Sequence, residues 1–580
     1  MKKYTADFET TTKADDCRVW AYAISEIGNP EHFEYGNSLD EFMEICANPK
    51  ENAVYYFHNL KFDGEFIIYW LLSNGYEFIQ DIKQRHDKTF TTLITDMGQF
   101  YEIEVYFRVR DKKHINKVKF LDSLKILNFS VEQIAKDFDL PMSKLSIDYK
   151  AERKVGHQLT PEEVAYIRND VEIMSRALQI MFDEGLTKMT IASDALTDYK
   201  TTLPNFTEYF PVLPPEIDKD IRQSYKGGFT YLNPIYRGKQ TGSGIVFDAN
   251  SMYPARMYYD LLPYGNPLFF KGKYEQDPTY PLYVQQFTCV FKLKKGKIPS
   301  IQIKNNRFFI ANEYVENSDG LPVTLTLTNV DLELFLENYD IDGEIEWGGG
   351  WKFKAMNGLF NEYIDKWTAK KIQAKKDGNS ALYRISKLCL NSLYGRFGLN
   401  GNTRKKIPTL DPTTNGVKYV MGEPETRKTV YIPIATFITS YARANIIRAS
   451  EQIREYSMKK YGFDAYVYSD TDSIHALLSS EDVEELSKTM DIDDYRLGAW
   501  KLESVFSKGK YLRQKCYIEE FDGELNVTVA GLPKRLGKYV NFDNFNYGFT
   551  TEGMNMTERK LTYKRVNGGV LLVDTDFTIK

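Results

Sequence analysis

The sequence predicts a mixed α+β fold spread over more than one domain. Three observations carry that reading. The chain has 580 residues, which leaves room for several hydrophobic cores. Hydrophobic residues make up 42% and charged residues 27%, an ordinary globular composition. Short apolar runs that end in carboxylates read as strands, while other segments carry helix-start signals.

Taken in order, the first strand is Tyr4-Thr5-Ala6-Asp7-Phe8-Glu9. Alternation puts Asp7 and Glu9 on one face, where both can reach one metal pair. Phe57-His58-Asn59-Leu60-Lys61-Phe62-Asp63-Gly64 supplies another carboxylate. A helix follows at Pro161–Asp170, with Thr160 as N-cap, Glu163 completing a capping box and Pro161 at the first position. Tyr166 and Asp170, four apart, share its face and can aim a phenol and a carboxylate into one site.

Further along, the run Gly244-Ile245-Val246-Phe247 ends at Asp248 and leads into Asn250-Ser251-Met252-Tyr253-Pro254. Ala381 to Tyr394 reads as a helix started by Asn379 or Ser380. Its stripe of Arg384, Lys387, Asn391 and Tyr394 is either a solvated face or a surface that meets nucleotide phosphates. A further strand, Ala465-Tyr466-Val467-Tyr468-Ser469, ends in Asp470-Thr471-Asp472. Carboxylates at two strand ends, brought together by the fold, hold two divalent cations that clamp the attacking and leaving oxygens of phosphoryl transfer. The tripeptide alone is weak evidence, because Asp574-Thr575-Asp576 repeats it. Asp248 and the cationic helix give 470–472 partners, whereas the C-terminal copy reads as a strand end or turn.

The net charge of −5 speaks weakly against nucleic acid, but charge is segregated. Arg404-Lys405-Lys406, Lys508 to Lys515 and Lys534-Arg535 are basic, and Glu481 to Glu485 is acidic. Five scattered cysteines without a Cys-x-x-Cys pair point to a reducing compartment and away from a zinc module. No signal-peptide core and no membrane-spanning apolar stretch is found.

The order Asp-x-Glu, Asp, Tyr-x-x-x-Asp resembles that of DEDD-type 3′–5′ exonucleases. Over essentially its whole length the chain resembles a protein-primed family B DNA polymerase of the bacteriophage phi-29 type. Exonuclease motifs match at Asp7-Phe8-Glu9-Thr10, at Asn59-Leu60-Lys61-Phe62-Asp63 and at Tyr166 with Asp170. Polymerase motifs A, B and C match at Asp248–Pro254, Lys387–Gly395 and Tyr468–Ser473.

The resemblance implies an α+β multidomain chain: a ribonuclease H-like 3′–5′ exonuclease domain, then a right-hand polymerase of palm, fingers and thumb with two protein-priming insertions. The implied bounds are 1–190 exonuclease, 191–260 and 425–529 palm, 261–357 first insertion, 358–398 fingers, 399–424 second insertion and 530–580 thumb. Asp7, Glu9, Asp63 and Asp170 are then one set of metal ligands, with Tyr166 orienting water. Asp248, Asp470 and Asp472 form the other set. Tyr253 as a steric gate, Lys371, Lys387, Asn391 and Tyr394 are the implied nucleotide contacts. The implied DNA contacts are Asn59, Phe62, Ser123, Leu124, Lys144, Tyr149, Tyr225, Gly227, Gly228, Thr439, Arg443, Lys515 and Tyr517. Mg²⁺ is the implied cofactor, two per site, with Mn²⁺ a possible substitute. The implied partners are primer-template and single-stranded DNA, dNTPs and a terminal protein primer, with no membrane. The protein is expected to be a monomer in the cytoplasm of an infected bacterial host. Tyr383 stands where the family pattern has a lysine, and the 399–424 segment reads as a β-hairpin turning at Asn415-Gly416.

Overall fold

The computed structural model describes residues 1–48, 52–111, 114–302 and 314–580. Part of the expected first insertion, residues 303–313, therefore lies outside the described residues.

The N-terminal region is built on an eight-stranded mixed sheet. Its central strands are Lys2–Thr10, Ala53–Phe57 and Ile115–Asp122, which run parallel. Val19–Glu26 flanks them antiparallel. Successive side chains of a strand face opposite ways, so Tyr55 and Phe57 pack with Phe42, Leu60 and Phe66 on one side. Val54 and Tyr56 pack with Ile173, Met174 and Ala177 of the helix Pro161–Asp183 on the other. Helices thus cover both faces, as expected of a ribonuclease H-like domain. The capping box read from Thr160 and Glu163 forms with both of its hydrogen bonds.

A second, antiparallel sheet of five strands has the order Trp500–Phe506, Gly244–Ala249, Ser473–Ala476, Tyr466–Asp470, Thr230–Leu232. The 30-residue helix Ile432–Tyr461 backs it, burying Ile438, Ala442, Ile446 and Ile453 in the largest core. Between the two halves of this sheet, the chain makes a four-stranded sheet from Leu262–Phe270, Tyr339–Met356, Leu282–Leu293 and Val323–Thr328. Two helices follow, Asn361–Lys376 and Ser380–Gly398, the latter capped by the Asn379 side chain.

The hairpin Lys406–Leu410/Val417–Met421 reverses through Asn415, which takes a left-handed φ of 53°. Near the C-terminus a second hairpin pairs Lys560–Val566 with Gly569–Thr575. The two hairpins and the N-terminal domain meet at Glu65. Its carboxylate accepts from Tyr419 Oη at 3.0 Å and Arg565 Nε at 2.9 Å. Asn415 Nδ2 also donates to Asn567 Oδ1 at 2.9 Å. The 399–424 hairpin therefore contacts both the C-terminal hairpin and the N-terminal domain.

Candidate active sites

Two carboxylate clefts form, one in each sheet. In the first, Asp7 and Glu9 stand on the strand Lys2–Thr10, Asp63 on the helix Leu60–Ser73 and Asp170 on the helix Pro161–Asp183. Burial pushes the Asp7 carboxyl up to about 7, and Asp170 adds to the shift. Burial, then Asp7 and Asp170, lift Glu9; burial, then Asp7 and Glu9, lift Asp63. The four groups thus sit in one another's field. Lys144 answers part of that charge, with Nζ 3.5 Å from Asp170 Oδ2. Tyr166 Oη meets Tyr149 Oη at 2.7 Å.

The second cleft lies where the five-stranded sheet turns. Asp248 is registered against Ser473 on one neighbour and Lys501 on the other. Ala249 N donates to the Asp472 carbonyl at 2.7 Å, which zips the two carboxylate-bearing segments together. Thr471, at the tip of the turn, has a φ of 59°, a left-handed strain that β-branched residues rarely accept. Burial, then Asp248 and Asp470, raise the Asp472 carboxyl to about 6. Burial and Glu503 raise Asp248, while Lys501 and Lys387 oppose them. Asp470 is differently placed: Lys515 Nζ lies 2.8 and 2.9 Å from its two oxygens, and Thr230 Oγ1 donates at 3.2 Å.

Both clefts fit hard divalent cations. Their donors are carboxylate oxygens, and Asp63 Oδ1 and Asp170 Oδ1 are buried with no hydrogen-bond partner among the described residues. Among the described residues no three His, Cys, Asp or Glu side chains converge closely enough to hold a metal ion by themselves. Open clefts suit Mg²⁺, which is held by one or two carboxylates plus substrate phosphates.

On the helix Ser380–Gly398, Lys387 and Asn391 are exposed toward the second cleft, and the Tyr394 ring packs on Tyr253 at 4.1 Å. Burial, then Lys387, Lys501 and Lys375, push the Lys371 ammonium below its usual range. Arg384 corrects the expected stripe. It pairs with Asp137 at 2.6 Å and lies over the Phe129 ring, because the start of this helix abuts the N-terminal domain.

Of the expected DNA contacts, Lys144 pairs with Asp170, Tyr149 meets Tyr166, Asn59 and Phe62 contact Tyr563, and Leu124 N donates to Asp122. Gly228 packs against Thr471, Gly227 O accepts from Arg443, Tyr225 lies against Gly398, Lys515 pairs with Asp470 and the Tyr517 ring lies against Tyr468. Ser123, Thr439 and Arg443 are buried. Ser123 Oγ donates to Phe57 O at 3.1 Å, and Thr439 Oγ1 donates to Ala435 O at 3.0 Å. Arg443 pairs with buried Asp331 and donates to Lys226 O and Gly227 O at 2.9 and 2.8 Å. Asp576, in the repeated Asp-Thr-Asp, pairs with Arg559 at 2.6 Å, away from both clefts.

Sequence reasoning missed Lys501 and Glu503, which reach Asp248 only through strand register. It also missed Tyr563 of the C-terminal hairpin, whose Oη accepts from Asn59 Nδ2 at 3.2 Å. No local pattern marks any of the three.

A carboxylate cleft in a ribonuclease H-like sheet, and another facing a cationic helix, define a two-centre phosphoryl-transfer enzyme acting on nucleic acid. Comparison with known proteins agrees. Residues 46–484 match the family described as DNA polymerase type B, organellar and viral, and the chain belongs to that family. The DNA polymerase of Bacillus phage B103 is 45% identical over 599 residues, covering both chains completely. That of Bacillus phage phi29 is 44% identical over 601 residues, covering all of this chain and 99% of its own. Phi29 DNA polymerase in complex with primer-template DNA and incoming nucleotides superposes with a TM-score of 0.90 at 42% identity, over the whole of both chains. Its complex with single-stranded DNA gives 0.88 over the same span.

Proposed function

We propose that the Asp248–Asp472 cleft adds dNTPs to a primer on a DNA template, and that the Asp7–Glu9–Asp63–Asp170 cleft trims a 3′ end. The observation that carries this reading is the pair of separate carboxylate clusters, each with its own cations. Two Mg²⁺ ions per cleft, or Mn²⁺ in their place, would stabilise the charge on the attacking and leaving oxygens. Asp248 and Asp472 would hold them in one cleft, and Asp7, Glu9, Asp63 and Asp170 in the other. Asp470, already neutralised by Lys515, steadies the turn and the primer side. Lys371 and Lys387 receive the triphosphate, where charge accumulates as the bond breaks. The Tyr253 ring, propped by Tyr394, fills the space a ribose 2′-hydroxyl needs. In the first cleft the Tyr166–Tyr149 hydroxyl pair and Lys144 orient the attacking water.

The phi29 structures hold primer-template DNA, single-stranded DNA and nucleotides, and the same partners are proposed here. The reading extends to initiation from a terminal protein, to processive strand displacement by a monomer whose two hairpins join the N-terminal domain at Glu65, and to work in the host cytoplasm. Among the described residues no helix is long and apolar enough to cross a membrane.

Separability is the test. Asp472→Ala should abolish primer extension and keep single-strand degradation. The double change Asp7→Ala, Glu9→Ala should do the reverse, and Asp574→Ala should do neither. Joint loss of both activities in either variant would refute two independent sites.

A further inference from the structure

The second cleft gathers lysines from three elements beside its carboxylates. Lys371 and Lys387 come from the two helices on one side, and among the described residues neither makes an ion pair. Lys501 comes from the other side, on the strand Trp500–Phe506. Antiparallel register sets it directly beside Asp248, and its Nζ lies 3.5 Å from Asp248 Oδ1. Its side chain is 34% exposed and Asp248's 25%, so the ammonium is free to swing into the cleft. Glu503, two residues along and on the same strand face, adds a negative charge near Asp248. The lysines also feel one another, since Lys387 and Lys501 both help hold the Lys371 ammonium below its usual range.

Lys371, Lys387 and Lys501 repel one another, and an entering polyanion relieves that repulsion. Asp248 cannot serve that purpose during synthesis. If Asp248 were to hold a divalent cation, Lys501 would lose its ion-pair partner, and the triphosphate would offer it a new one.

We propose that Lys501 is a third cation of the nucleotide site, moving from Asp248 to the triphosphate of the incoming dNTP and binding it from the side opposite Lys371 and Lys387. This rests on the reading of the cleft as the polymerase centre. Lys501 is then a substrate contact, and its ion pair with Asp248 belongs to the enzyme before nucleotide binds.

The test uses full-length enzyme on primer-template DNA, with Lys501→Met, Lys501→Arg and Lys387→Met. Affinity for the next correct dNTP is measured at equilibrium on a dideoxy-terminated primer with Ca²⁺, and KM and kcat are measured with Mg²⁺. A charge-assisted contact of this kind carries about a tenfold to hundredfold effect on affinity. Lys501→Met should weaken dNTP binding and raise KM by about that factor. Lys501→Arg should retain most of the affinity. Single-strand degradation should be unchanged in all three, which shows that the fold is intact.

If Lys387→Met weakens binding and Lys501→Met does not, the Lys501 inference falls while the polymerase cleft stands. If neither variant changes affinity, the reading of the cationic helix falls and takes Lys501 with it. A Lys501→Met enzyme that needs less Mg²⁺ but binds dNTP as before would make Lys501 a counter-ion of Asp248 only, and would overturn the proposal.

Discussion

Gly227 and Gly228 are adjacent, neither has a positive φ, and the structure gives them opposite sensitivities. A Cβ added at Gly228 would stand 2.6 Å from Thr471 Oγ1, 2.9 Å from Thr471 Cγ2 and 3.0 Å from Tyr253 Oη. Ordinary contact needs roughly 3.5–4.0 Å, so the groups must part by about 1 Å. Thr471 has little room to give. Its backbone is held at a φ of 59°, and its N–H donates to Phe229 O, one residue beyond Gly228. The displacement therefore passes to Asp470 and Asp472 on either side. Overpacking of this kind costs about 1–3 kcal/mol of stability, and a 1 Å misplacement of catalytic groups costs about 100-fold in rate. A Cβ at Gly227 meets nothing within 4 Å. Gly228→Ala should cut single-nucleotide addition by about two orders of magnitude while degradation of single-stranded DNA persists. Gly227→Ala should stay close to the parent in both, with stability changed by less than about 0.5 kcal/mol. Parental extension by Gly228→Ala, or equal damage from both changes, would refute a clearance role and point to chain flexibility instead.

Four further outcomes are expected. Tyr253→Val should admit rNTPs with little loss of dNTP use, read as the ratio of the two kcat/KM values, because the ring excludes the wrong sugar rather than binding the right one. Glu65→Ala should open the junction of the two hairpins with the N-terminal domain. Products made under a DNA trap should shorten while single-nucleotide addition holds, and loss of the contact with the partly exposed Arg565 should cost about 1 kcal/mol in denaturant unfolding. Asp331→Asn should leave the buried Arg443 guanidinium underpaired. A loss of about 3–5 kcal/mol is expected, with most of it non-additive in a double-mutant cycle with Arg443→Met. Finally, Asp7 is raised to about 7 and Asp472 to about 6, and protons compete with metal for both. The Mg²⁺ needed for degradation should rise as pH falls through 7, and that for extension only as it falls through 6. Identical Mg²⁺ midpoints at pH 8 and pH 6 for either activity would count against that cleft.

Much of the site is written locally. Capping chemistry at Thr160, Pro161 and Glu163 acts within one helical turn, so the helix presenting Tyr166 and Asp170 is legible without its surroundings. Strand alternation likewise puts Asp7 beside Glu9, and an apolar run followed by Asp is enough to end a strand at Asp248 or Asp470. What local pattern leaves open is which copies matter. Asp470-Thr471-Asp472 and Asp574-Thr575-Asp576 are the same tripeptide at the end of similar strands. Only the fold sets one beside Asp248 and gives the other's Asp576 to Arg559.

The same limit explains the corrections. Arg384 and Lys387 lie three apart on one helix, yet Asp137 of the N-terminal domain, distant in sequence, captures the first and leaves the second exposed. Thr439 and Arg443 carry polar groups on a buried helix, where Asp331 of the helix Asn329–Asn338 takes the guanidinium. Lys501 gains its place beside Asp248 from antiparallel register across 253 residues of chain. Hydrogen-bonded turns, caps and alternation depend on neighbours within a few residues, and sequence by itself determines them. The pairing of charges is decided by distance in space. For this chain, only the packing of its sheets, helices and hairpins sets those distances.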